Sequence, residues 1–394
     1  MKKTIATAVV ILSLGLGLTT GCASVTGVLG SSRESRALSI ENRWTRSTLK
    51  AEFLGYRRLN RMAPLVLDKL VIQSNAVDGI VAYERSTGRQ IWRMSVENGA
   101  EGGATVAGDK LYFGSSNGQF YCLNVADGRV VWDIQVRAET LAAPTIDSGV
   151  VYFQNGADVV FAVDATTGKQ LWFFNRQTTG QLSIRATSRP TIGGDFVYVG
   201  FSDGFVVALK KRDGTLAWER KIGKGNRFHD VDSTPVLDGK SLFVASFDGT
   251  LMSLDKDSGD VLWSVEEGAY VPVTLGQDRW ADRLYYATAS GSLLVLDKKS
   301  GKQLAAVRVQ RGIPSQPALY KGFVLYGESE GAFVIADAET LQPIQKFEPG
   351  HGLVARPTAV EATGEAYFIS NSANLYAVKL GYRRNADRLP WQDQ

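Results

Sequence analysis

Short apolar segments alternate with polar turns along most of the chain, and the pattern recurs about every 40 residues. Residues 162–172 read AVDATTGKQLW, in which an apolar segment, a turn with glycine and a second apolar segment end on tryptophan. Another apolar run, rich in valine, phenylalanine, tyrosine and leucine, precedes each such unit. Runs of this composition, bounded by glycine, aspartate, asparagine and serine, indicate strands joined by hairpins and not helices.

The closing tryptophans define the period of the repeat. Their separations are 40, 40, 46 and 45 residues, a length that is typical of a four-stranded β-propeller blade. Ala305 and Ile344 continue the series in two weaker units. The tryptophans are Trp92, Trp132, Trp172, Trp218 and Trp263.

Proline and glycine mark two other points of each unit. Proline cannot donate a hydrogen bond to a neighbouring strand, so it indicates the start of an edge strand. Seven units have it, with Ala104 in the corresponding place of the second unit: Pro64, Pro144, Pro190, Pro235, Pro272, Pro317 and Pro357. Four pairs of Asp or Asn with Gly predict two-residue hairpin turns. These pairs are Asp78-Gly79, Asn117-Gly118, Asp203-Gly204 and Asp248-Gly249.

These elements predict an all-β fold, an eight-bladed β-propeller of four-stranded antiparallel blades over residues 40–380. The eighth unit lacks a fourth strand, because the pattern ends at Leu380. Ile40–Phe53 contains Trp44, which lies 48 residues before Trp92, about one unit. We therefore predict that this N-terminal segment supplies the missing strand and closes the ring, and that the tryptophans pack between neighbouring blades.

Residues 1–21 have the features of a secretory signal peptide. Two lysines precede an apolar run of 14 residues, 5–18, which is too short to span a bilayer. Small residues directly before Cys22 are typical of a bacterial lipobox, in which the cysteine becomes the lipidated first residue. Leu18 lies four positions before this cysteine, where the usual pattern has leucine three positions before it. The alternative is an ordinary cleaved signal with an incidental cysteine.

Both ends of the predicted propeller carry polar segments. Residues 22–39 are small and polar after the cysteine, and we predict a flexible tether. Ala23 directly follows the cysteine, which favours export to the outer membrane in enteric-type bacteria. Residues 381–394 form a polar tail outside the repeat.

Composition limits the kinds of partner. The net charge is +4 over the whole chain and falls by two if Lys2 and Lys3 are removed with the signal peptide. This leaves no basic footprint for nucleic acid. The cysteines are Cys22 and Cys122, and Cys122 takes a position where other units have alanine or serine. It is predicted to be a small buried residue.

The longest connections between units are adjacent and emerge on one face of the ring. Phe174–Pro190 offers Leu182, Ile184 and Arg185. Aliphatic side chains beside an arginine are suited to a protein–protein contact on a rigid scaffold.

The second of these connections, Arg220–Pro235, offers Asp230 and Asp232 together with Arg227. These carboxylates could belong to the same contact surface. Equally, they could pair with nearby arginines and only order the loops. The residues alone do not separate the two interpretations.

The repeat resembles that of eight-bladed propellers of the pyrroloquinoline-quinone type. With the lipobox, the length and the two connections, the sequence resembles a lipoprotein family of the outer-membrane β-barrel assembly machinery. Residues 182–191 and 229–236 are similar to the family segments that contact the barrel subunit BamA, with Ile184 in place of a leucine. The resemblance assigns this contact to Leu182, Ile184, Arg185, Asp230 and Asp232.

The resemblance implies a non-enzymatic scaffold in the outer membrane, anchored by lipid on Cys22 and facing the periplasm. Its partners would be the POTRA domains of BamA, other subunits of the assembly complex and unfolded outer-membrane proteins. It implies no cofactor, metal, nucleic acid or small-molecule substrate.

The same repeat also occurs in quinoprotein dehydrogenases, which gives an alternative function. Those enzymes use an adjacent cysteine pair and a Ca²⁺ site, whereas here Cys22 and Cys122 are far apart in sequence and no Asp-rich calcium loop occurs. His229 and His351 offer little material for a zinc site or a catalytic triad. A propeller that binds some other ligand, such as a carbohydrate, is a third interpretation.

Overall fold

The computed structural model describes residues 37–50, 59–177, 187–224, 228 and 230–383. Within these residues, 32 strands form eight four-stranded sheets, and Leu38–Tyr382 make one compact unit. The assigned strand pairs are antiparallel, and in seven sheets the strands follow each other in sequence order. The predicted fold class, an eight-bladed propeller, is confirmed.

Each of the first four blades is a meander of four consecutive strands. Blade 1 comprises β2 (Leu65–Val66), β3 (Leu70–Asn75), β4 (Gly79–Glu84) and β5 (Gln90–Ser95). Blade 2 comprises β6 (Ala104–Ala107), β7 (Lys110–Gly114), β8 (Gln119–Asn124) and β9 (Val130–Gln135). Blade 3 comprises β10 (Thr145–Asp147), β11 (Val150–Gln154), β12 (Val159–Asp164) and β13 (Gln170–Asn175). Blade 4 comprises β14 (Thr191–Gly193), β15 (Phe196–Gly200), β16 (Phe205–Lys210) and β17 (Leu216–Lys221).

Blades 5 to 7 repeat this order, and a 3₁₀-helix (Asp278–Trp280) lies inside blade 6. Blade 5 comprises β18 (Val236–Asp238), β19 (Ser241–Ser246), β20 (Thr250–Asp255) and β21 (Val261–Val265). Blade 6 comprises β22 (Thr274–Leu275), β23 (Arg283–Ala287), β24 (Ser292–Asp297) and β25 (Gln303–Arg308). Blade 7 comprises β26 (Ala318–Tyr320), β27 (Phe323–Gly327), β28 (Phe333–Asp337) and β29 (Pro343–Phe347). Blade 8 comprises β30 (Thr358–Val360), β31 (Glu365–Ile369), β32 (Asn374–Arg383) and β1 (Ala37–Ser47).

The N-terminal strand closes the ring. β1 is the fourth strand of blade 8 and lies beside β32, so strands from the two ends of the unit share one sheet. Ser39 Oγ donates to the carbonyl of Gly381 at 3.2 Å across this pair. The predicted closure is confirmed, although the strand begins at Ala37. β32 runs to Arg383, three residues past the predicted end of the repeat.

The innermost strands begin where the prolines predicted them. Six of the seven prolines directly precede a first strand, and Pro272 lies two residues before β22. A threonine of one first strand repeatedly donates its hydroxyl to the proline carbonyl of the next blade, at 2.5 to 2.7 Å. These bonds join Thr105 to Pro144, Thr145 to Pro190, Thr191 to Pro235, Thr274 to Pro317 and Thr358 to Pro64.

The repeated tryptophan connects each blade to the next. Trp172 Nε1 donates to the carbonyl of Lys211 in blade 4 at 3.0 Å. A Cβ added to Gly214 would lie 2.6 Å from the Trp172 ring. The turn therefore needs glycine both for its φ of +72° and for close contact with the ring. The same contact occurs between Trp44 and Gly88, Trp92 and Gly128, Trp132 and Gly168, Trp218 and Gly259, and Trp263 and Gly301. The predicted packing of tryptophan between blades is confirmed.

At the junction between blades 6 and 7, the strand position carries a small side chain and the turn position carries a large one. Ala305 stands in the tryptophan position, opposite Val295, and Leu341 stands where the other turns have glycine, at φ 60°. Leu341 is fully buried in a cluster with Trp280, which also covers Gly322 of blade 7. A large side chain from the turn and a tryptophan from the 3₁₀-helix thus fill the space that the missing ring leaves.

The structure corrects the register of the seventh unit. Gln345 pairs with Ile335 as Trp172 pairs with Ala162, so Gln345 and not Ile344 holds the tryptophan position. Ile344 lies one residue earlier and is 44% exposed. The period of the apolar residues alone was off by one position here, because this blade has no tryptophan to fix it.

The predicted two-residue hairpins are wrong. Asn75 pairs with Gly79, which leaves three residues in that turn. The turn is longer because Asn75 Oδ1 accepts the backbone N–H groups of Val77 and Asp78, at 2.9 and 2.8 Å. Such a side-chain cap stabilises a turn without the two-residue geometry. Cys122, by contrast, is fully buried as predicted.

Candidate functional site

The two long connections, 176–190 and 222–235, will be called the paired connections. They join blade 3 to blade 4 and blade 4 to blade 5. Ser188 Oγ of the first donates to the carbonyl of Ser233 in the second at 3.3 Å, and Ser188 N donates to Gln154 Oε1 at 3.1 Å. Hydrogen bonds therefore hold the described parts of the paired connections to each other and to blade 3.

The second connection is fixed closely against its neighbouring strands. Val231 N donates to the carbonyl of Phe201 at 3.1 Å, and Phe247 N donates to the carbonyl of Asp230 at 3.0 Å. A Cβ on Gly200 would lie 2.0 Å from the Val231 carbonyl oxygen, so only glycine allows this approach. Val231 is completely buried. The backbone that carries the two predicted aspartates is thus well anchored.

The structure places Asp230 and Asp232 in the interior of this region. Their exposed fractions are 0% and 8%. Leu182, Ile184 and Arg185 lie outside the described residues, as do Arg227 and His229. The lipidation site, Cys22, lies outside them as well. The assignment of these residues to a partner contact stays a prediction.

Asp232 is a buried carboxylate with incomplete compensation. Burial raises its pKa well above the usual value, and the nearby carboxylates of Asp230 and Asp158 raise it further. Arg61 acts in the opposite direction, but it is itself 3.3 Å from Glu101. Among the described residues, no donor lies within hydrogen-bonding distance of Asp232 Oδ2. Ionisation of Asp232 is therefore disfavoured in the folded chain.

Asp158 belongs to the same group and was missed in the sequence. It is 7% exposed, and Ser202 Oγ and Gln154 Nε2 donate to its carboxylate, the latter at 3.3 Å. Its φ is 55°, and it stands where the turn of blade 2 has Gly118. An aspartate in place of a turn glycine is a signal that comparison of the units could have found.

Phe228 was also missed. It lies on the second connection, two residues before Asp230, and its side chain is 40% exposed at a φ of 54°. Exposed aromatic side chains are common anchors of protein–protein contacts. The described part of the paired connections therefore combines an accessible apolar group with a carboxylate that lacks a full set of partners.

Two features of the described residues bear on other kinds of site. They contain no group of three or more histidine, cysteine, aspartate or glutamate side chains that could hold a metal ion. No helix within the same part of the chain has the length and apolar character needed to cross a membrane.

Solved structures share the propeller fold. A crystal structure of BamB from Moraxella catarrhalis matches 86% of this chain and 100% of its own, with a TM-score of 0.72 and 19% identity. A quinohemoprotein alcohol dehydrogenase from Comamonas testosteroni matches 92% of this chain and 78% of its own, with a TM-score of 0.70 and 15% identity. At such identities these likenesses show the fold alone.

Sequence comparison goes further than the fold. The outer membrane protein assembly factor BamB of Shewanella oneidensis is 28% identical over 194 residues, which are 44% of this chain and 49% of the relative. The chain spans about half the length of the curated relatives it matches. The family model described as outer membrane protein assembly factor BamB matches residues 77–281, more than half of the chain and both paired connections. The chain belongs to the BamB family of outer membrane protein assembly factors.

Proposed function

We propose that this protein is a non-enzymatic scaffold that binds the POTRA domains of a BamA-type barrel subunit through the paired connections. The observation that carries the proposal is the buried, incompletely compensated carboxylate of Asp232, on the same connection as the exposed residue Phe228. Membership of an assembly-factor family supports the same partner. Leu182, Ile184, Arg185 and Asp230 complete the proposed contact.

The electrostatics of Asp232 favour a cationic group on the partner. Ionising a buried carboxylate beside other carboxylates costs free energy in the isolated chain. A partner arginine or lysine that reaches this group would recover part of that cost, because it supplies the missing opposite charge. Affinity should therefore rise with pH as Asp232 ionises, through a range above the usual aspartate pKa of about 3.9.

Location and the remaining partners follow from the same proposal. Lipid on Cys22 would anchor the protein in the outer membrane, with the propeller on the periplasmic side. Residues 1–21 would be the signal peptide, 22–39 the tether, and 40–380 the propeller. Through the complex, the protein would also meet other assembly subunits and help deliver unfolded outer-membrane proteins for insertion.

Co-purification of the barrel subunit from solubilised membranes tests the contact. Asp232→Asn and Asp230→Asn keep the shape of the buried side chains, and Arg185→Glu reverses the charge on the first connection. Each should reduce recovery of the barrel subunit at least severalfold. Asp257→Asn in blade 5 is the matched control, since the ion pair of Asp257 among the described residues is with Lys256 at the surface. Undiminished recovery with all three variants would remove the site assignment.

We further propose that no catalysis occurs in the ring. The dehydrogenase likeness, at 15% identity, supports only a common fold. The adjacent cysteine pair of quinoprotein enzymes has no counterpart, since Cys22 and Cys122 lie far apart in sequence. Calorimetric titration with pyrroloquinoline quinone and Ca²⁺ should give no binding heat, and saturable heat would revive the enzyme alternative.

A further inference from the structure

Two blade junctions have the same backbone framework. The closure junction joins blade 8 to blade 1, and the reference junction joins blade 4 to blade 5. Arg46 in the first and Arg220 in the second each lie two residues after the junction tryptophan. Arg46 Nε donates to the carbonyl of Gly88 at 2.8 Å, and Arg220 Nε donates to that of Gly259 at 2.7 Å. The two arginines are therefore structurally equivalent.

The equivalence extends four residues further along the chain. Lys50 N donates to Asp78 Oδ2 at 2.6 Å in the closure junction. Lys224 N donates to Asp248 Oδ2 at 2.7 Å in the reference junction. In both junctions, an aspartate in the turn between the second and third strands accepts the backbone N–H of the equivalent lysine. The charges of the two junctions can therefore be compared position by position.

The position after the turn glycine carries side chains of opposite charge in the two junctions. In the reference junction it is Asp260, which lies 3.3 Å from Arg220. In the closure junction it is Arg89, so Arg46 has a cation where its counterpart has a carboxylate. The guanidinium of Arg46 is bonded to backbone carbonyls, and no described carboxylate forms an ion pair with it.

The lysine of the reference junction has a carboxylate partner that the lysine of the closure junction lacks among the described residues. Lys224 Nζ pairs with Glu266, three residues after Trp263. The equivalent residue near Lys50 is Ser95, which carries no charge. Within the described part of the chain, no carboxylate pairs with Lys50 Nζ.

A fourth cation completes the contrast. Arg93 directly follows Trp92, and the equivalent residue of the reference junction is Ser264. Arg93 is mostly buried and lies 3.2 Å from Asp78. The closure junction therefore brings together four cations, with Asp78 and Glu84 as the carboxylates near them. The reference junction has two cations and four carboxylates at the corresponding positions.

These cations surround a cavity of about 430 Å³ at the surface. Arg46, Lys50, Arg89 and Arg93 all line it, and the described lining includes no carboxylate. Tyr83 also lines it, but burial raises its pKa to about 12 and its hydroxyl donates to the carbonyl of Ser47. The phenol therefore stays neutral and does not supply a compensating charge.

We propose that this cavity binds a phosphate group, held by Arg46, Arg89 and Arg93 with Lys50 at its edge. Guanidinium groups bind phosphate oxygens through paired N–H donors, and several converging cations are the usual setting for such a ligand. The site is separate from the paired connections and does not depend on the proposed scaffold role. The phosphate could belong to a free anion or to the headgroup of an anionic phospholipid.

Two arms distinguish these sources, both with the full chain carrying Cys22→Ser so that no lipid at that position holds it on a membrane. The first arm is calorimetric titration with inorganic pyrophosphate at 150 mM salt, about the physiological ionic strength. The second is co-sedimentation with vesicles of phosphatidylglycerol, compared with vesicles of phosphatidylcholine. Binding in the first arm identifies a free anion, and binding only to phosphatidylglycerol vesicles identifies a lipid headgroup.

Arg89→Asp is the decisive variant, because it places at this position the carboxylate that the reference junction has. It should weaken binding on the order of tenfold in whichever arm is positive. Arg46→Gln gives a second test should the first variant be unstable, and Asp257→Asn again serves as the matched control. Equal binding by the unaltered chain and by Arg89→Asp in both arms, or binding in neither arm, would overturn the proposal.

The reciprocal exchange adds an independent test. Asp260→Arg combined with Ser264→Arg and Glu266→Ser gives the reference junction the cations of the closure junction. Pyrophosphate or vesicle binding should then increase, with up to two sites per chain. The gain should persist when Arg89→Asp is added, because the two junctions would bind phosphate independently of each other.

Discussion

The junctions between blades and the paired connections are parts of one ring. They differ in how completely their buried groups find packing and hydrogen-bond partners. At a junction, the tryptophan ring fills the space above a glycine and its N–H finds a backbone carbonyl. Between blades 6 and 7, where alanine replaces tryptophan, Leu341 and Trp280 restore the lost volume. At the paired connections, Asp232 stays buried without full compensation. The junctions are therefore expected to supply most of the stability, and the buried carboxylate of Asp232 lies where we propose that a partner binds.

The largest effect should come from emptying a junction. Trp172→Ala removes a buried ring and its hydrogen bond to blade 4, and should lower the free energy of unfolding by about 3–5 kcal/mol. Leu171→Ala on the same strand is the control, because Leu171 is 53% exposed; its effect should stay within about 0.5 kcal/mol. Chemical denaturation measures both. Similar losses for the two variants would contradict the proposed role of the junction.

An exchange of volumes at the blade 6–blade 7 junction sharpens the same comparison. Ala305→Trp should destabilise the protein by about 1–3 kcal/mol, since Leu341 already occupies the turn. Combining it with Leu341→Gly should recover part of that loss, because the pair then follows the other junctions. Thermal unfolding of the single and double variants gives the coupling. Strictly additive effects would mean that the two positions do not compensate each other.

A smaller effect of opposite sign is expected at the paired connections. The pKa of Asp232 is higher in the folded than in the unfolded chain, so its contribution to stability is present at low pH and is lost as pH rises through the folded value. Asp232→Asn should therefore stabilise the isolated protein by about 1 kcal/mol near neutral pH, and its advantage should shrink toward pH 4. Thermal unfolding across this range tests the sign. A variant less stable than the parent at neutral pH would show that Asp232 is well compensated.

The smallest effect should be at the closure junction. Arg89→Asp removes the pair of Arg89 with Glu84, but it replaces repulsion with attraction toward Arg46, Lys50 and Arg93. Residue 89 is 67% exposed, so each of these contributions is small. Such surface pairs contribute about 0.5 kcal/mol, and salt screens them. The variant should unfold at a slightly higher temperature in low salt and at nearly the parent temperature in 1 M salt. A decrease in low salt would indicate that Arg89 has a structural role of its own.

The fold could be predicted because its determinants are local and repeated. Proline near the start of the first strand in seven of the eight blades, and glycine opposite tryptophan, reflect backbone constraints that are visible directly in the sequence. The closing strand was predictable for the same reason, since Trp44 continues the spacing. Turn lengths were less accessible, because a side-chain cap such as that of Asn75 changes the loop without changing its composition.

The candidate site was only partly predictable. The length of the two connections in the sequence indicated where they are. The pKa of Asp232, however, depends on Arg61 before blade 1 and on Asp158 of blade 3, which are distant in sequence. Asp158 contributes from one of those blades, and no local pattern links it to Asp232. The charge contrast at the closure junction was likewise hidden until the structure showed which residues of different blades are equivalent.

The closing strand also has a consequence for the order of folding. Ser39 and Gly381 are 342 positions apart, so the last sheet can form only after nearly the whole chain is available. Contacts of such separation are slow to form, since a long loop must close before they contribute. During synthesis or export, earlier blades can assemble pairwise while the ring stays open, with Gly88 not yet covered by Trp44. Completion of the circle is therefore expected to be a late step, and one that a truncated chain without β32 does not reach.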